Sequence, residues 1–104
     1  MKLLAAFIIA ASFNVKAQTI DEGAFVCTTP ELWEEGIRAY NRKDANALTY
    51  VFANGCGIIN ASYPVTILDR TFTGLTKVRV YVGNDTVEVW VAREALSEAL
   101  LTGY

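Results

Sequence analysis

The chain has 104 residues, a net charge of −2, no histidine, two cysteines and 53% apolar residues. That length holds one domain, and the balanced charge lacks the clustered Lys/Arg footprint that nucleic acid requires. The missing histidine removes the commonest metal ligand and the usual general base near neutral pH.

Residues 1–17 read as an export signal. Lys2 gives a positive start, and residues 3–13 form a run that is apolar apart from Ser12. Val15, Lys16 and Ala17 then place small or modest residues where a signal peptidase reads. The run is too short to span a hydrocarbon core, which needs about 20 residues. A second hydrophobic stretch is absent, so no membrane span is expected after cleavage. Cleavage after Ala17 would leave residues 18–104 as one periplasmic or secreted domain. Loss of Lys2 and Lys16 would take the net charge from −2 to −4. That charge suits a basic partner, or one recognised mainly by shape.

Cys27 and Cys56 are the only thiols, and export would place them where disulfides persist. They are read as a structural staple: there is no C-x-x-C, and no histidine to activate a thiolate. Closing a loop of about 30 residues is worth roughly 3.6 kcal/mol by loop-closure entropy.

Residues 18–26 form a short leader without strong period. Residues 28–53 predict a helical pair. Thr29 can cap the first helix and Pro30 fits its first position, where no donor is needed. Glu31, Glu34 and Glu35 follow in the early turns, with Arg38, Arg42 and Lys43 near the end, as the helix dipole favours. Leu32, Trp33, Gly36, Ile37 and Tyr40 recur at three- and four-residue spacing and mark the apolar face. Asp44 can cap a second helix, from 45 to about 52, with Leu48, Val51 and Phe52 inward; Asn54-Gly55 stops it.

From Gly57 the period changes to two. Residues 57–59 are short and apolar, and Tyr63-Pro64 leads into Val65-Thr66-Ile67-Leu68. Residues 77–82 alternate, with Val78, Val80 and Val82 on one face and Lys77, Arg79 and Tyr81 on the other. Gly83-Asn84-Asp85 predicts a tight hairpin. Residues 86–91 return with Val87, Val89 and Val91 inward, and Glu88 and Trp90 outward. Ala92-Arg93-Glu94 opens a closing turn or short helix, with Leu96, Leu100 and Leu101 as its apolar stripe.

Three or four short strands are best closed into a bent antiparallel barrel, the helical pair covering one side. The expected class is therefore α+β, with residues 56–104 supplying strands and a closing helix. The runs Tyr63-Pro-Val-Thr-Ile-Leu-Asp69, Lys77-Val-Arg-Val-Tyr-Val-Gly83 and Val89-Trp-Val-Ala-Arg-Glu-Ala-Leu96 resemble bacterial SH3-like domains. The resemblance covers roughly residues 56–96. Val89 stands where the family has Gly before its Trp, and the helical half lies outside the usual domain.

The carboxylates sit mostly at helix starts, turns and strand faces, where acidic side chains are expected without catalysis. No His/Cys cluster, spaced calcium loop or G-x-S-x-G context accompanies them. No enzyme activity, cofactor or metal is expected. The candidate binding residues are Trp90, Tyr81, Tyr63, Arg79 and Glu88. Tyr81 and Trp90 share the hairpin face opposite the valines, with Arg79 and Glu88 beside them, while Tyr63 and Phe72 lie in loops expected near one rim. This face is either core under Trp33, Ile37 and Tyr40 of the helical pair, or an exposed aromatic shelf. The resemblance implies a shelf that takes cell-wall peptide stems or protein partners. The expectation is a non-enzymatic binding module of the cell envelope, taking a protein, a peptide or a peptidoglycan fragment. An inhibitor of a basic wall-degrading enzyme is one variant. The alternative is an assembly subunit of a secretion, conjugation or phage-related complex.

Overall fold

A computed structural model describes the backbone of residues 14–102 and the side chains of residues 18–98. The apolar run of the expected export signal lies outside the described residues. Residues 14–17, its end, belong to the first strand.

Seven strands form one antiparallel sheet that curls into a half-barrel. They are β1 (Asn14–Ile20), β2 (Phe25–Cys27), β3 (Cys56–Ile58), β4 (Tyr63–Arg70), β5 (Leu75–Val82), β6 (Asp85–Ala92) and β7 (Leu96–Thr102). Two helices, α1 (Pro30–Arg42) and α2 (Ala45–Ala53), separate β2 from β3. The order across the sheet is β3-β2-β6-β5-β4-β1-β7. The class is α+β, but two strands precede the helical pair. Residues 18–26 escaped a periodicity reading because two short strands and a turn share them.

Both helix starts are built from local chemistry. The Thr29 hydroxyl accepts from the Leu32 N–H at 3.1 Å, and the Asp44 carboxylate accepts from the Ala47 N–H at 3.1 Å. Between the helices, Lys43 adopts φ 57° and donates its N–H to the last-turn carbonyls, which ends α1 within one residue.

The strands follow their alternation. Ile20, Val78, Val80 and Val91 are fully buried, and Ala24, Val26, Val65 and Val89 nearly so. Each such side chain contributes about 1.5–3 kcal/mol relative to exposure. Val82 and Val87, expected inward, are exposed: Val82 sits at the hairpin tip, and Val87 faces water although it stands opposite the buried Val80. Gly83 turns that hairpin at φ 62°, while Asn84 keeps a negative φ. This is the pattern of a two-residue loop with glycine first.

The chain end departs from expectation. Arg93–Ala95 forms a single 3₁₀ turn, but Leu96 onward is a strand and not a helix. Leu, Ala and Glu favour helix locally, yet β1 offers seven consecutive antiparallel register partners. Tertiary pairing overrides the weak local preference. Leu96 still turns inward, against the valine core.

Candidate functional site

The chain divides into a frame and an insert. The frame is the five neighbouring strands β7-β1-β4-β5-β6, and the insert is β2–α1–α2–β3, added along the open side of β6. Cys27 ends β2, Cys56 begins β3, and the disulfide between them closes the insert at its base with Cα atoms 4.0 Å apart. The expected staple is present and encloses both helices.

Inside the insert, Phe25 is the hinge of the packing. Its ring lies 6.1 Å from that of Trp33 and 5.8 Å, edge-on, from that of Phe52. The Trp33 indole N–H donates to the Phe25 carbonyl at 3.1 Å, so one residue ties α1 to β2 by ring and backbone together. Gly36 is buried against the same ring: a Cβ there would lie 2.5 Å from Phe25 Cζ. The helices therefore pack over β2 and β3 at one end of the sheet, with α1 also reaching β6 of the hairpin.

That docking leaves an apolar groove of about 360 Å3, lined by Phe25, Gly36, Ile37, Tyr40, Leu48, Phe52 and Ile58. Several lining residues face water: Tyr40 is 70% exposed, Ile58 54% and Phe52 44%. Ile37 and Tyr40, which one of the two alternatives placed over the strand face, line this groove. A sequence signal existed, because α2 carries no charged residue along its nine positions. A surface helix without charge has a second apolar side to cover.

Beside the groove lies β3, the terminal strand of the sheet, which contributes Ile58 to the lining. Ala24 accepts from the Ile59 N–H at 2.9 Å, and Gly55 accepts from the Thr28 N–H at 2.9 Å. Antiparallel pairs alternate, so Cys56 opposite Cys27 and Ile58 opposite Phe25 are the non-hydrogen-bonded pairs. Their N–H and C=O groups point away from β2, toward the open side of β3.

The expected binding residues are only partly brought together. Arg79 stands opposite Glu88, Lys77 opposite Trp90 and Tyr81 opposite Thr86 on one face of β5–β6. There the Glu88 carboxylate takes Arg79 at 3.2 Å and Lys77 at 3.7 Å. The Tyr81 hydroxyl lies 2.8 Å from that of Thr66. Contact with Thr66, and then with Arg79, holds the Tyr81 phenol below its ordinary pKa; the same Tyr81, and then Glu88, raise Arg79. Trp90 is half-buried beside the insert. Tyr63 is not part of this face. It begins β4 in phase with Val65, packs against the valine core, and bonds Asn60 through its hydroxyl at 2.7 Å. Phe72 is fully exposed in the β4–β5 turn.

Among the described residues, no cluster of three His, Cys, Asp or Glu side chains is placed to hold a metal ion. No described helix is long and apolar enough to cross a membrane. No protein-family model, curated protein or solved structure matches the chain.

Proposed function

We propose that the protein is an exported, non-enzymatic binding module of the cell envelope, and that its groove takes an extended apolar segment of a protein partner. The observation that carries this reading is the apolar groove itself, with the terminal strand β3, whose outer backbone groups have no strand partner among the described residues, next to it. An extended peptide there gains main-chain hydrogen bonds from the edge and side-chain burial from the groove. A peptidoglycan fragment, rich in hydroxyls and charge, finds no polar partner in that lining. The frame supports the SH3-like resemblance. β4, β5 and β6 form a meander, the 3₁₀ turn Arg93–Ala95 follows, and the last strand returns beside the first. On this view β2–α1–α2–β3 replaces a connecting loop of the SH3-like frame, and the binding surface travels with the insert.

The test is selection of random displayed peptides on the oxidised processed protein, repeated on Tyr40→Ser, Phe52→Ser and Trp90→Ala. Uncharged apolar peptides retained by the wild type and Trp90→Ala, and lost at least tenfold by the groove variants, are expected. Retention by the groove variants with loss at Trp90→Ala would move the site to the hairpin face. Binding of soluble peptidoglycan fragments in place of peptides would restore the wall reading.

A further inference from the structure

We propose that removal of residues 1–17 turns the end of β7 into a self-pairing strand, through which the processed chain forms a twofold dimer. This inference rests on the export reading. β1 and β7 share seven register pairs, from Asn14 opposite Thr102 to Ile20 opposite Leu96. β4 joins β1 only at Gln18, Thr19 and Ile20. Residues 14–17 and 99–102 therefore form a two-stranded ribbon beyond the sheet. Each is the other's only strand partner among the described residues.

The expected cut falls inside β1. Ala17 pairs with Ala99 and Gln18 with Glu98, so cleavage between them strips one whole side of the ribbon. The three pairs from Gln18 to Ile20 survive and still aim β7 outward. Residues 99–102 are left with backbone donors and acceptors unpaired on both edges. Their side chains are Ala99, Leu100, Leu101 and Thr102, without charge, proline or glycine. The devices that usually blunt a free strand are missing there.

A second copy fits the vacated slot. The slot is antiparallel to β7 and four residues long, as is the same segment of another molecule. Seated there with the rotation axis at Leu101, Leu101 faces Leu101 of the second copy and Leu100 faces Thr102, so that the residues whose N–H and C=O point into the slot meet each other. One rotation fills both slots at once, so the contact closes as an isologous pair and does not grow a fibre. An isolated two-stranded ribbon is marginal in water. Here the new pairs continue a strand already fixed by the sheet, so a weak, concentration-dependent dimer is expected.

The experiment starts from the full precursor, exported and purified oxidised, with intact mass fixing the new N-terminus. Sedimentation then compares this product with a chain lacking residues 99–104, with Leu101→Pro, with Tyr40→Ser, and with a chain beginning at Asn14. The processed protein and Tyr40→Ser should double in mass as concentration rises, and the other three should remain monomers. A processed protein monomeric at all concentrations, or a dimer that survives Leu101→Pro, overturns the pairing. Loss of the dimer in Tyr40→Ser overturns it too, placing the tail in the groove of another copy. An uncut product fails the export reading, whereas a monomeric product cut after Ala17 fails only the strand pairing.

Discussion

The frame and the insert are stabilised by different means. In the frame, Ile20, Thr76, Val78, Val80 and Val91 are fully buried, and β5 and β6 pair over all eight of their residues. The insert has two strands of three residues, two short helices, and a small cluster around Phe25, Gly36, Ala39 and Val51. What it lacks in core it recovers from the Cys27–Cys56 bond. The contrast extends to surfaces. On one face of β5–β6 the frame pairs its polar groups with each other. Its exposed apolar groups are scattered over the β4–β5 turn and the hairpin, while the insert gathers Tyr40, Phe52 and Ile58 around one groove. A rigid scaffold with a stapled, apolar addition is an arrangement suited to binding on the addition.

The largest effect separating the two regions should come from the disulfide. Replacing both Cys27 and Cys56 by Ala opens a loop of about 30 residues and should cost about 3.6 kcal/mol. Amide exchange should show α1 and α2 losing protection while the central β5 and β6 amides keep it. Peptide binding should vanish under conditions where the frame is still folded. Simultaneous loss of protection in both regions would show one cooperative unit and erase the distinction.

A smaller effect tests the Phe25 hinge from within. Gly36→Val sets a branched side chain where even a Cβ would lie 2.5 Å from Phe25 Cζ and 2.9 Å from Cε2. Phe25 is held between Trp33 and Phe52, so the ring has little room to give. A destabilisation of about 2 kcal/mol is expected from denaturant unfolding, together with weaker peptide binding because Phe25 lines the groove. An unchanged midpoint would mean that the ring moves freely and the insert is loosely packed.

The same division explains what could be read from the sequence. Caps at Thr29 and Asp44, the stop at Asn54-Gly55 and the Gly83 hairpin are decided by neighbours along the chain, the disulfide by there being only two cysteines, and all are present. β7 is not legible locally, because Leu96, Ala99, Leu100 and Leu101 favour helix while their strand partner lies about 80 residues away in β1. Tyr63 was legible but overlooked. It is in phase with Val65 and Ile67, and period two places it inward with them. Trp33 and Tyr40 fall on one stripe of α1, yet Tyr40 is 70% exposed while Ala39, outside the expected stripe, is buried. No local pattern says whether such a stripe covers the hairpin or the edge of β2. The groove follows from that docking choice, so only the uncharged α2 hinted at it.

The smallest effect concerns the polar face of the frame, and it carries a sign. Tyr81 meets the Thr66 hydroxyl at 2.8 Å and also feels Arg79, and both favour its phenolate. In the folded chain it should therefore titrate below its ordinary value of 10.0. A group whose pKa is lowered by folding adds stability that is complete above the unfolded value and is lost as pH falls through the folded one. Stability should thus rise slightly on the alkaline side, where Tyr81 ionises, and neutral pH should show none of it. Phenolate absorbance against pH, with Tyr81→Phe to isolate this tyrosine among five, measures the value directly. Thr66→Ala and Arg79→Gln should each return it toward 10.0, because both partners favour the phenolate. An ordinary value in the wild type would mean that water, not Thr66, satisfies the phenol. The hairpin face would then be an open polar surface able to compete with the groove for partners.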